Sequence, residues 1–196
     1  MIPLLDKQKD KEEIATLEDR AGKLRKLPRP VTPIVIPLRD GLTARDMIHP
    51  TARVRFDADG SGLREEWNWF TKDAGILVYD PHRRRNITSA LQWFGNVTFW
   101  MACDNGYEAL KSLDDNGDGM LSGRELDGLA VLIDANGDGI CQPGEVKTLA
   151  ELGIVALSCR WEIDASHPDR IAFSRAGVTF QGGATRPTFD VILKKW

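Results

Sequence analysis

The sequence predicts an α+β fold. Its centre is a helix–loop–helix–loop–helix calcium-binding unit, in which tandem EF-hand-like loops share one helix, packed with short antiparallel β-strands. Three observations predict it. Residues 114–125, DDNGDGMLSGRE, and residues 134–145, DANGDGICQPGE, carry one twelve-residue pattern twice. The stretch between the loops has room for a single helix. On either side lie short runs that alternate apolar and polar residues, the signature of half-buried strands.

The repeat points to a hard divalent cation. A calcium loop of this kind offers side-chain oxygens at positions one, three, five and twelve and a backbone carbonyl at seven, with glycine at six for the sharp turn. The first loop supplies Asp114, Asn116, Asp118, the Met120 carbonyl and Glu125, with Gly119 at six. The second supplies Asp134, Asn136, Asp138, the Ile140 carbonyl and Glu145, with Gly139 at six. Ser122 and Gln142 stand at the ninth position, which often acts through water. Asn-Gly and Asp-Gly dipeptides alone suit ordinary hairpin turns. Turn chemistry does not call for this oxygen order, so Ca2+ is the expected cofactor. The extra acid Asp115 and an apolar Leu121 at position eight predict tighter binding in the first loop.

Two other stretches follow the pattern in part. Asp57, Asp59, Ser61 and the Leu63 carbonyl match positions one, three, five and seven, but position twelve is Asn68, which cannot chelate as a carboxylate does. Asp80 opens a further loop in which His82, Arg84 and Arg85 fill positions three, five and six. Cationic side chains there exclude a cation.

Along the chain, residues 1–27 are charged, with Ile14, Leu17, Ala21 and Leu24 on one stripe, and predict an amphipathic helix that is a candidate interaction arm. Residues 28–49 hold prolines at 28, 30, 33 and 37 and predict an extended linker, with Ile34–Ile36 docking on the core. Residues 50–196 form the calcium-binding α+β domain. There 53–56, 65–70 and 76–79 read as strands. Residues 105–113 read as a helix with Asn105 and Glu108 at capping-box spacing. Leu126, Leu129, Ala130 and Ile133 predict the shared helix, and a third helix follows Pro143 and stops at Gly153. Residues 154–163 alternate as a strand, and three short strands follow, with Gly182-Gly183 between the last two.

The 196 residues carry a net charge of −3, so nothing biases the chain toward nucleic acid or an anionic membrane. No run reaches the ~18 apolar residues of a membrane helix. The opening MIPLLDKQKDKEE is no secretory signal. Three cysteines allow one disulfide at most, and three scattered histidines with no Cys-x-x-Cys argue against zinc.

The order of a DxDxDG loop, ILVYDP, LQWFG, GYEALKSLDDNGDG and DANGDGICQPGEVKTLAELGI resembles bacterial DxDxDG-type calcium proteins. It is similar to the calcium-dependent self-processing module of iron-regulated RTX proteins over residues 53–158. The resemblance implies an extracytoplasmic or secreted setting. It also implies calcium-triggered cleavage of an Asp-Pro bond just upstream of the first acidic loop, where the Asp side chain attacks its own carbonyl. Here that place holds His49-Pro50, whose histidine cannot make the same self-attack, and the one Asp-Pro in the sequence, Asp80-Pro81, lies inside the loop that carries the arginines, so the departure predicts no self-cleavage at either bond.

The expectation is therefore a calcium-stabilised structural or interaction module with a protein or surface partner and no catalysis. Calcium-dependent self-processing is the enzymatic alternative. Carbohydrate or surface-ligand binding through some of the six tryptophans (Trp67, Trp69, Trp93, Trp100, Trp161, Trp196) is the other.

Overall fold

A computed structural model of the chain describes residues 30–100 and 103–196. The helix expected over residues 1–27 lies outside the described residues. The described residues are mostly β, which corrects the α+β expectation: among them a nine-stranded antiparallel sheet curls into a half-barrel, and one short α-helix accompanies it.

The strands are β1 (Ile34–Pro37), β2 (Ile48–Phe56), β3 (Glu65–Phe70), β4 (Ala74–Tyr79), β5 (Met120–Ser122), β6 (Leu129–Leu132), β7 (Val146–Thr148), β8 (Ile154–Ser158), β9 (Glu162–Ile163), β10 (Ala172–Phe180) and β11 (Thr185–Asp190). The large sheet runs β5-β8-β10-β11-β1-β4-β6-β7, with β9 paired to β10. Strands β2 and β3 form a separate hairpin. The helix α1 (Gly106–Lys111) begins where Asn105 caps the Tyr107 and Glu108 amides.

The sheet is buried on both faces, and this explains its composition. Ile76 and Val78 of β4 join one apolar cluster with Phe56, Trp67, Trp69 and Trp93. Leu77, between them, joins a second with Tyr107, Leu110 and Leu121. Strand β1 splits the same way, with Val35 in the first cluster and Ile34 and Ile36 in the second. A strand covered on both sides reads as an unbroken apolar run. The Ile34–Ile36 stretch of the expected linker is thus a central strand of the sheet.

The same effect overturns the shared helix. Ala130 and Leu132 face the first cluster, whereas Leu129 and Val131 face the second, so LAVL at 129–132 is strand β6. Helical and strand periods cannot be told apart in so short an apolar run. Ahead of it, Gly123–Leu126 makes one 3-10 turn, and Gly128 at φ +84° breaks any continuation. The third helix is also absent: Val146–Thr148 is strand β7 and Ala150–Leu152 a 3-10 turn ending at Gly153.

Candidate metal centre

The twelve-residue loops are not EF-hands, because no helix pair flanks either one. Residues 134–145 connect β6 to β7 as a hairpin loop, closed by the Ile133 amide donating to the Glu145 carbonyl at 2.8 Å. Residues 114–125 leave α1 and run directly into β5, which pairs with β8. Strands β5 and β7 are the outermost of the sheet among the described residues. The repeat thus places one acidic loop at each edge of the sheet.

Within the loops the backbone repeats closely. In the first, the Gly119 amide donates to Asp114, the Asp118 amide to Asn116 and the Met120 amide to Asp118. In the second, Gly139 donates to Asp134, Asp138 to Asn136 and Ile140 to Asp138. Glu125 accepts from the Asn116 and Ser122 amides, and Glu145 from the Ala135 and Gln142 amides. Position twelve is therefore folded back across each loop. In the second loop Asn136, Asp138 and Gln142 also converge, joined by side-chain bonds of 2.8–3.1 Å.

The partial loop at 57–63 has the same ladder: Gly62 donates to Asp57, Ser61 to Asp59 and Leu63 to Ser61. Its twelfth position does not close it, since the Asn68 amide oxygen accepts from the Lys194 amide at 2.7 Å. The Asp80 loop keeps the left-handed backbone too, but Arg83 (φ +51°) and Arg85 (φ +52°) stand where the acidic loops have glycine. Asp80 accepts from the Arg84 amide at 2.9 Å and the Arg85 amide at 2.7 Å.

The donor set fits a hard cation bound by oxygen. Asp134 is 4% exposed and Glu145 8%, and neither takes part in a salt bridge among the described residues. Buried carboxylates are ordinarily paired with a cation or bound to a metal. Among the described residues no three His, Cys, Asp or Glu side chains cluster as a metal cage. A site here must draw on Asn116, Asn136, Gln142 and the Met120 and Ile140 carbonyls as well. The thiols offer no alternative. All three cysteines are free, and burial, with Asp114, Glu125 and Asp118 nearby, pushes Cys159 up to about 12.

Three neighbours of the loops escaped sequence reasoning. The Trp69 indole N–H donates to Asp134 Oδ2 at 2.5 Å, across 65 residues of sequence. Arg160 Nη2 donates to the Asp118 carbonyl at 2.8 Å. Arg64 reaches the Gly139 carbonyl at 3.5 Å. No local pattern marks any of them, because each contact exists only once the sheet has formed.

The SPM domain family matches residues 38–194. The chain belongs to the SPM domain family. The match covers β2 to β11 and all four loops. This SPM domain is also similar to the iron-regulated protein FrpA of Neisseria meningitidis serogroup C, at 35% identity over 112 residues, which is 55% of this chain and 10% of that protein. The chain therefore spans about a tenth of the length of that relative. Among the described residues no helix is long and apolar enough to cross a membrane.

Proposed function

We propose that this SPM domain is a calcium-ordered module of the self-processing type, and that the bond it cuts within this chain is Asp80-Pro81. The family match and the FrpA similarity favour this class over a purely structural module. Calcium, when bound, supplies the positive charge that the oxygens of Asp114, Asn116, Asp118, Met120 and Glu125, and of Asp134, Asn136, Asp138, Ile140 and Glu145, are arranged to meet. Asp57, Asp59, Ser61 and Leu63 form an incomplete third set.

The observation that carries the cleavage reading is the strained loop behind Asp80. Two non-glycine residues there hold positive φ, which costs roughly 1–2 kcal/mol each. The Arg83 amide donates to the Asp80 carbonyl oxygen at 3.0 Å and polarises it. Cys141 of the second loop donates to the Arg85 carbonyl at 3.3 Å, so that loop touches the Asp80 loop. In the reaction, an Asp80 carboxylate oxygen attacks the Asp80 carbonyl carbon. The bond to the Pro81 nitrogen breaks and that nitrogen takes a proton from solvent. The cyclic anhydride left at Asp80 is opened by water or by an amine.

One observation favours binding without cleavage. The Asp80 carboxylate must first leave the Arg84 and Arg85 amides that now hold it. Incubation with calcium or with chelator, followed by intact-mass analysis, separates the two readings. A calcium-dependent fragment beginning at Pro81 supports self-processing. An intact chain carrying bound calcium refutes it and leaves a structural or interaction module with a protein or surface partner, set outside the cytoplasm. For carbohydrate recognition, Trp67, Trp69 and Trp93 are at most 1% exposed and offer no platform, which leaves the exposed Trp161 and Trp196.

A further inference from the structure

The two acidic loops are not equivalent. In loop 114–125 Asp114 and Glu125 are half-buried and Asp118 is exposed. Loop 134–145 instead rests on the aromatic core. Its Gly139 lies so close to the β2–β3 hairpin that a Cβ there would overlap Val54. Its Asp134 accepts from Gly137, Asp138, Gly139 and Trp69. Trp69 is fully buried, with Phe56 at 5.2 Å, Phe70 at 5.3 Å and Trp93 at 6.0 Å between ring centroids. Among the described residues the buried indoles of Trp67 and Trp93 have no hydrogen-bond partner, whereas Trp69 donates its single N–H to a loop carboxylate.

We infer that Trp69 is a positioning residue for the cation of loop 134–145, fixing Asp134 so that occupancy of this loop, and not of loop 114–125, is coupled to the aromatic cluster around Trp69. The inference rests on the calcium reading above. The indole N–H shares Asp134 Oδ2 with the Gly139 amide and anchors the carboxylate from the core side, while the loop amides of Gly137 and Asp138 take Oδ1. It also fixes the rotamer, so the ligand is ordered before the ion arrives. Outer hydrogen bonds of this kind are typically worth 10–100-fold in metal affinity. The inference reverses the ranking expected from sequence, with the first loop dominant, because the extra acid Asp115 is exposed whereas Asp134 and Glu145 are buried.

The experiment uses the full chain with calcium alone as the probe. Tryptophan emission and native mass spectra are recorded across a calcium titration for wild type, Trp69→Phe, Glu145→Gln and Glu125→Gln. The wild type should bind at least two ions with a change in emission. Trp69→Phe should lose most of that change and bind one ion about 10–100-fold more weakly. Glu145→Gln should lose the change, and Glu125→Gln should keep it. The calcium-induced rise in melting temperature should shrink more in Glu145→Gln than in Glu125→Gln. The two glutamate variants retain Trp69, so they decide the matter even where Trp69→Phe fails to fold. An emission change that follows Glu125, or a folded Trp69→Phe with wild-type affinity and signal, overturns the inference alone. A wild type that binds no calcium overturns the calcium reading together with it.

Discussion

Replacing Asp190 with asparagine should stabilise the protein at neutral pH. Asp190 ends β11 and is 3% exposed. Its Oδ1 accepts from the Gly106 amide at 3.1 Å, where α1 starts. Burial raises its pKa from 3.8 to about 8, against the smaller opposing effect of the Gly106 amide, and no cation offsets it. The folded chain therefore holds this carboxyl protonated at pH 7, while the unfolded chain ionises it. The folded state binds more protons, so stability falls as pH rises. The contribution is fully present below about pH 4 and is lost progressively up to about pH 8. At ~1.36 kcal/mol per unit, the loss by pH 7 is about 4 kcal/mol. Asparagine is neutral in both states and removes it. Its amide must find a partner in place of the acid hydroxyl, so about 2 kcal/mol is the expected net gain. For a domain of this size that is a rise of roughly 4–8 °C in melting temperature. Thermal or urea melts of both proteins at about pH 5 and about pH 8 provide the assay, and titrations other than that of Asp190 cancel in the difference. The advantage of the variant should widen at the higher pH. An equal difference at both pH values, or a variant less stable at both, would refute the argument.

Other outcomes follow from the same contacts. Native mass spectra in calcium should show at least two bound ions that magnesium does not displace, because magnesium demands a tighter octahedral shell. Gly139→Ala should be far more destabilising than Gly137→Ala in chemical denaturation. Both glycines have positive φ, but only the first would drive a methyl into Val54. The Gly137 change should cost roughly 1–2 kcal/mol. Tyr107→Phe should cost about 1–3 kcal/mol in urea melts. The Tyr107 hydroxyl is buried between the Thr188 hydroxyl at 2.8 Å and the Ser174 amide at 3.1 Å, and both would lose a partner.

The sequence by itself determined the loops. Their glycines, their oxygen order and the turn at Asn105 depend on residues within a dozen positions of one another, and local backbone chemistry dictates them. The same holds for the Asp80 loop, whose turn is closed by the Arg84 and Arg85 amides on the Asp80 carboxylate. What joins the loops was not legible. Leu129–Leu132 satisfies a helical stripe and a doubly buried strand equally well, and only the presence of two apolar layers selects the strand. Ile34–Ile36 looked like a docked linker because four prolines surround it, yet pairing with β4 and β11 makes it a central strand. Nothing near Asp134 announces Trp69, and nothing near Gly106 announces Asp190. Contacts spanning 65 and 84 residues are set by strand order, which arises from burying both faces of one curled sheet. The charges that a sequence can count are therefore not the ones that need a cation most: burial decides that, and burial belongs to the tertiary fold.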